Sequence, residues 1–93
     1  MKLIDEVRAR APSAYRARGV KLARQGLVEG IRSEQSYGEE EVTLRVMEPG
    51  ARVAFTVTIW PDEPDWACDC PIEHETCSHV VAAAIALANA RTN

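Results

Sequence analysis

The chain has 93 residues, a formal net charge of −3 and an isoelectric point near 5.3. That length provides for one small domain with a modest core, and no apolar run approaches the ~20 residues of a membrane-spanning helix. The acidic balance argues against a protein that holds nucleic acid by overall charge, and the N-terminus, Met1-Lys2-Leu3-Ile4-Asp5-Glu6, turns acidic too early for a signal peptide.

The charge is unevenly placed. Residues 1–32 hold eight Lys/Arg against three Asp/Glu, a net of +5, whereas residues 33–93 hold three against 11, a net of −8. In chain order, Leu3, Ile4 and Val7 have helical spacing, so residues 2–10 read as a short helix. Pro12 suits the first position of a second helix, which runs to Gln25 and is stopped by Gly26. On that helix Tyr15, Gly19, Leu22 and Ala23 share one face, Lys21 and Arg24 lie on the opposite arc, and Arg18 lies on the flank. Gly19 costs about 1 kcal/mol inside a helix, which either close packing on a sheet or a local break would explain.

Strands follow. Leu27 to Ser33 is one candidate. Glu40 to Met47 alternates, with Val42, Leu44 and Val46 inward, and Glu48-Pro49-Gly50 reads as a hairpin turn. Val53 to Trp60 alternates again, with Val53, Phe55, Val57 and Ile59 on one face. Pro61-Asp62-Glu63-Pro64 makes the next turn, and Asp65 to Cys68 a short last strand. The turn spacing predicts an antiparallel meander of three to four strands. An alanine-rich helix over about 79–90 packs back on it, and Arg91-Thr92-Asn93 forms a polar tail. The fold class is therefore α+β: an N-terminal helix, the meander, and a C-terminal helix, in a single domain over 1–93.

All three cysteines fall in one cluster, Cys68-x-Cys70, six residues, then Cys77-x-His79. Strand side chains alternate, so Cys-x-Cys puts two sulfurs on one side of an extended segment. Pro71 stops that segment, the loop Ile72 to Thr76 returns the chain, and Cys77-x-His79 leads into the helix. Three thiolates and one imidazole are a full tetrahedral set for one structural zinc, held by Cys68, Cys70, Cys77 and His79. His74 is the rival for the fourth position, and helix-start geometry favours His79. Only five aromatic residues are present, Tyr15, Tyr37, Phe55, Trp60 and Trp66. Zinc binding, worth on the order of 10 kcal/mol in small domains, would take over part of the work of the core.

This cluster resembles the SWIM zinc-finger family, whose signature is Cys-x-Cys, a variable spacer, then Cys-x-His and an apolar helix. Cys68, Asp69, Cys70, Pro71, Cys77, Ser78, His79, Val80 and Val81 fall on that pattern, and the finger core spans about 53–90. Upstream, Arg18-Gly19-x-x-Leu22-x-x-x-Gly26-x-Val28 is similar to the helix-to-strand segment ahead of the finger in bacterial members. Family members often carry lysine between the last two ligands, where this chain has Ser78, so one basic contact is removed. The resemblance implies a zinc-stabilised module that binds DNA or a protein partner.

The residues speak to both partners. Arg16, Arg18, Lys21, Arg24 and Arg32 are candidate phosphate contacts. The acidic stretches at 39–41 and 62–65 oppose nucleic acid, as do Asp69, Glu73 and Glu75 in the zinc loop. A helix that follows His79 with alanine and valine offers no groove-reading code. Any exposed apolar surface around Trp60 and Trp66 would suit a protein partner. No Ser/His/Asp set, phosphate loop or spaced carboxylate pair stands out, so the chain reads as a non-enzyme with no small-molecule substrate. The alternative is a redox-responsive or catalytic zinc/thiol protein, with Glu73 or Glu75 as base beside an open metal position. Zinc-bound thiolates without disulfides suit the cytoplasm.

Overall fold

The computed structural model describes residues 2–50, 53–72 and 74–92. Glu73, and Asn93 at the end of the polar tail, lie outside the described residues. Two helices, α1 (Lys2–Arg10) and α2 (Ser13–Arg24), precede four strands, β1 (Val28–Ser36), β2 (Glu39–Met47), β3 (Ala54–Trp60) and β4 (Asp65–Cys68). A last helix, α3 (Ser78–Thr92), closes the chain. The strands form one antiparallel sheet in the order β1-β2-β3-β4, the meander that the turn spacing predicts.

The inner face of the sheet is set by alternation. Val42, Leu44 and Val46 of β2 lie opposite Ile59, Val57 and Phe55 of β3, and Ile59 and Val57 lie opposite Trp66 and Cys68 of β4. Directly paired residues share a face, so this row is one apolar floor, with Val42, Leu44, Val46, Val57 and Ile59 fully buried. The α3 helix lies on this floor, while α1 and α2 lie against α3. Seven consecutive residues of α3, Ser78 to Ala84, are buried, because the helix has packing partners on more than one side. That position explains its alanines: a helix between two layers needs small side chains for both to approach.

Gly19 belongs to the same contact. A Cβ there would lie 2.4 Å from Val81 Cβ and 2.8 Å from the Ser78 carbonyl oxygen. The close neighbour of Gly19 is therefore a helix, not the expected sheet, and α2 runs unbroken through it.

Other boundaries differ in detail. Pro12 is the residue before α2, with ψ 149°, rather than its first helical residue; the extended ψ redirects the chain between the helices. Gly26 and Leu27 donate to Ala23 and Leu22 carbonyls and end α2 in a Schellman arrangement. β1 reaches Ser36, three residues beyond the expected end, because Tyr37 (φ 52°) and Gly38 (φ 78°) form a tight two-residue hairpin turn. β3 begins at Ala54, and Val53, expected inward, is 56% exposed. The β2–β3 connection runs from 48 to 53, longer than a hairpin turn at Glu48-Pro49-Gly50 alone would need.

Candidate metal centre

The short strand β4 carries Cys68 on the inner face, opposite Val57. The next residue ties the departing chain to β3. The Asp69 N–H donates to the Thr56 carbonyl (3.2 Å), and the Thr56 N–H donates to Asp69 Oδ1 (2.8 Å). Cys70 follows, half-buried like Cys68. The returning loop is pinned by buried Trp66, whose Nε1–H lies 3.0 Å from the Glu75 carbonyl and 3.2 Å from Thr76 Oγ1. Arg10 of α1 lies over the Trp66 ring, 5.2 Å from its centroid. Cys77 is fully buried, and its carbonyl accepts the first helical bond of α3, from Val81. The Cys77 sulfur lies at the N-terminus of α3, where negative charge is favoured.

These elements bring Cys68, Cys70, Cys77 and His79 together, with one donor atom from each lying within 4.8 Å of all the others. The Cys70 and Cys77 sulfurs are 3.6 Å apart, and His79 Nδ1 is 3.8 Å from the sulfurs of Cys68 and Cys77. A tetrahedral zinc with Zn–S about 2.3 Å and Zn–N about 2.05 Å has edges of about 3.8 Å (S to S) and about 3.6 Å (S to N). The observed separations fit one such ion.

The protonation pattern points the same way. Hydrogen bonding from Cys68 lowers the Cys77 thiol to about 3, outweighing burial, with help from His79 and the Val80 N–H. The same shared proton, with burial, pushes Cys68 far up. Burial pulls the His79 imidazole down, but bonds to Cys77, Cys70 and Glu48 raise it to about 9. Sulfurs this crowded share protons because they cannot all be anionic, unless a dication replaces the protons. Soft thiolates with one imidazole in a tetrahedral array select zinc.

His74, the rival ligand, stays outside the cluster. Its ring is exposed, its Nδ1 accepts from the Thr76 N–H (3.0 Å), and it stands edge-on to Tyr15. Glu75 is exposed and contributes only its carbonyl, to Trp66. Two neighbours of the centre went unread in the sequence. Phe55 stacks on the His79 ring with centroids 4.6 Å apart, and Glu48 Oε1 lies 2.5 Å from His79 Nε2. The other Glu48 oxygen accepts from Arg18. Burial raises Glu48, but His79 and Arg18 outweigh it and hold the carboxyl below its ordinary value. The signal for Glu48 was a lone acid just after an apolar strand, which a turn explains equally well.

The five candidate phosphate contacts are all exposed but are not one surface. Arg18 is paired to Glu48, and Arg32 is on β1, 3.7 Å from Glu34. Arg16 donates to the Arg8 carbonyl (3.2 Å). Among the described residues Lys21 and Arg24 have no ion pair, and neither has Arg8 of α1. Arg8 and Arg24 flank a groove of about 270 Å³ that includes Val20, Ala23, Ile85 and Asn89. Ser78 is 1% exposed, so the position between the last two ligands faces the interior in this chain. Among the described residues there is no exposed apolar surface at the tryptophans: Trp66 is buried, and half-buried Trp60 donates to Glu41 (3.1 Å).

No helix of the described residues is long and apolar enough to cross a membrane. No curated protein and no solved structure matches the chain. Residues 55–88, from the phenylalanine on the His79 ring through most of α3, match the family model of the SWIM zinc finger, and the three cysteines and His79 fall on its ligand motif.

Proposed function

We propose that the chain is a zinc-stabilised interaction module, a single domain over 1–93, in which Cys68, Cys70, Cys77 and His79 hold one structural zinc. Its contact surface is then the cationic side of the helical pair, and its partner is nucleic acid bound through phosphate. The observation that carries this reading is that, among the described residues, Lys21 and Arg24 on α2 and Arg8 on α1 have no ion pair, with Arg8 and Arg24 lining one groove. Arg16 extends this set. Arg18 and Arg32 belong to the candidate group but contribute less, because each already has a carboxylate partner. Binding through such a surface is weak, largely independent of sequence and steeply dependent on salt.

A second reading has its own support. The groove between Arg8 and Arg24 includes the side chains of Val20, Ala23 and Ile85. Apolar residues lining the same groove as two cations suit an acidic protein segment better than a sugar-phosphate backbone. In either reading zinc is structural, because four protein ligands leave no coordination position for a substrate. Thiolate ligands fit a reducing compartment, so the proposed location is the cytoplasm.

The test is a titration of duplex and single-stranded DNA at two salt concentrations, on the zinc-loaded chain and on a Lys21→Ala, Arg24→Ala double variant. The nucleic-acid reading expects low-salt binding whose slope against log salt falls by about 0.7–0.9 for each phosphate contact removed. Zinc content should stay unchanged. An absence of binding at low salt removes that reading and leaves the protein partner.

A further inference from the structure

We infer that Glu48 is a positioning residue for the metal centre: it fixes the His79 imidazole with Nδ1 toward the three sulfurs and, through Arg18, fastens helix α2 to the same centre. The inference rests on the reading of His79 as a zinc ligand.

An imidazole that ligates through one nitrogen carries its proton on the other. His79 Nδ1 faces the sulfurs of Cys68 and Cys77, so Nδ1 must be bare and Nε2 must carry the hydrogen. Nε2 lies 2.5 Å from Glu48 Oε1, and an ionised carboxylate only accepts. The pair is therefore Nε2–H donating to Glu48, the outer partner that orients ligating histidines and raises their basicity. His79 is 2% exposed and has Phe55 stacked on its ring, so bulk water has poor access to replace that acceptor. Without Glu48 the Nε2–H would be a buried donor with nothing to bond.

Glu48 is itself held. It lies just beyond the end of β2, where the strand ladder no longer restrains it, and Arg18 donates to its Oε2. Each carboxylate oxygen thus has one partner, His79 in the finger and Arg18 on α2. This links an N-terminal helix to a ligand 61 positions later in the chain. Arg18 is thereby a brace for the metal centre rather than a free cation.

The test measures zinc affinity of the full chain by competition with a chromophoric chelator, and histidine tautomers by long-range proton–nitrogen NMR. Wild type should hold one zinc, with His79 protonated at Nε2. Glu48→Ala should weaken zinc binding by about 10- to 100-fold, the usual loss when such an outer partner is removed. Glu48→Gln keeps an acceptor oxygen but not the charge, so its loss should be smaller and the slowly exchanging Nε2 proton should persist. Arg18→Ala should lose less than Glu48→Ala. A wild type without zinc would refute the underlying ligand reading. Wild-type zinc affinity in both Glu48 variants, or metal on Nε2 with the proton on Nδ1, overturns the inference while leaving that reading intact. If Glu48→Ala does not fold at saturating zinc, the wild-type tautomer decides, since metal on Nε2 with the proton on Nδ1 is the overturning result.

Discussion

Replacing Gly19 by alanine would place a methyl carbon 2.4 Å from Val81 Cβ, 2.5 Å from Val81 Cγ1 and 2.8 Å from the Ser78 carbonyl oxygen. Carbon atoms pack at about 3.5–4.0 Å, so α2 and α3 would have to separate by roughly 1 Å. Rotamer change offers little relief: Val81 Cβ is fixed to its backbone, and the third neighbour is itself a backbone atom. Overpacking of this kind costs about 1–3 kcal/mol, and the backbone contact places this site at the upper end. Alanine returns about 1 kcal/mol of helix propensity over glycine. The net expectation is a loss of about 2 kcal/mol, or about 8–16 °C in Tm for a domain of this size. Thermal melts of the zinc-saturated protein, followed by circular dichroism, measure it. Ser78 stands between Cys77 and His79 of the candidate metal centre, so zinc release to a chelator should quicken as well. A Gly19→Ala protein as stable as wild type, or more stable by the propensity gain, would refute the close approach of α2 to α3.

Three further outcomes are expected. His79→Ala should abolish tight zinc retention, whereas His74→Ala, which loses a loop hydrogen bond from Thr76 and a ring contact with Tyr15, should leave it nearly unchanged; a zinc-release assay ranks them. Trp66→Phe removes the donor shared by the exposed Glu75 carbonyl and the buried Thr76 Oγ1, so denaturant unfolding should show a loss of about 1–3 kcal/mol from the one buried acceptor left unsatisfied. Glu40 is held below its ordinary value, first by its hydrogen bond from Arg91 and then by Ser33. A depressed carboxylate stabilises the fold above its unfolded value of about 4.3 and stops doing so as pH falls through the lower folded value. The stability difference between wild type and Arg91→Ala should therefore be constant above about pH 5 and shrink below it; a difference that grows on acidification contradicts the pairing.

How far the sequence carried depends on the range of each interaction. The inward set of β2 was legible because a strand with one buried face must alternate, and Val42, Leu44 and Val46 are all buried. The ends of β1 and β3 were less so: Tyr37 is not a usual residue at positive φ, and Val53 fits the alternation yet lies beyond the paired residues. At the centre, the gathering of Cys68, Cys70, Cys77 and His79 could be anticipated because all four lie within twelve residues of chain. Glu48 lies 31 positions from His79 and Arg18 another 30 before that. No local spacing connects them.

Helical and strand periodicity, turn residues and soft-ligand spacing are local properties of the chain, so most of the elements and the Cys68, Cys70, Cys77 and His79 cluster can be read from it directly. That α3 lies between the helices and the sheet, that Gly19 meets Val81 and that Ser78 faces inward can be read only from the folded chain. So can the pairing of Arg18 with Glu48, while Lys21 and Arg24 have no ion pair among the described residues. These depend on which surfaces meet when the elements close around one another, and charged side chains of similar local pattern are told apart only by what the fold brings beside them.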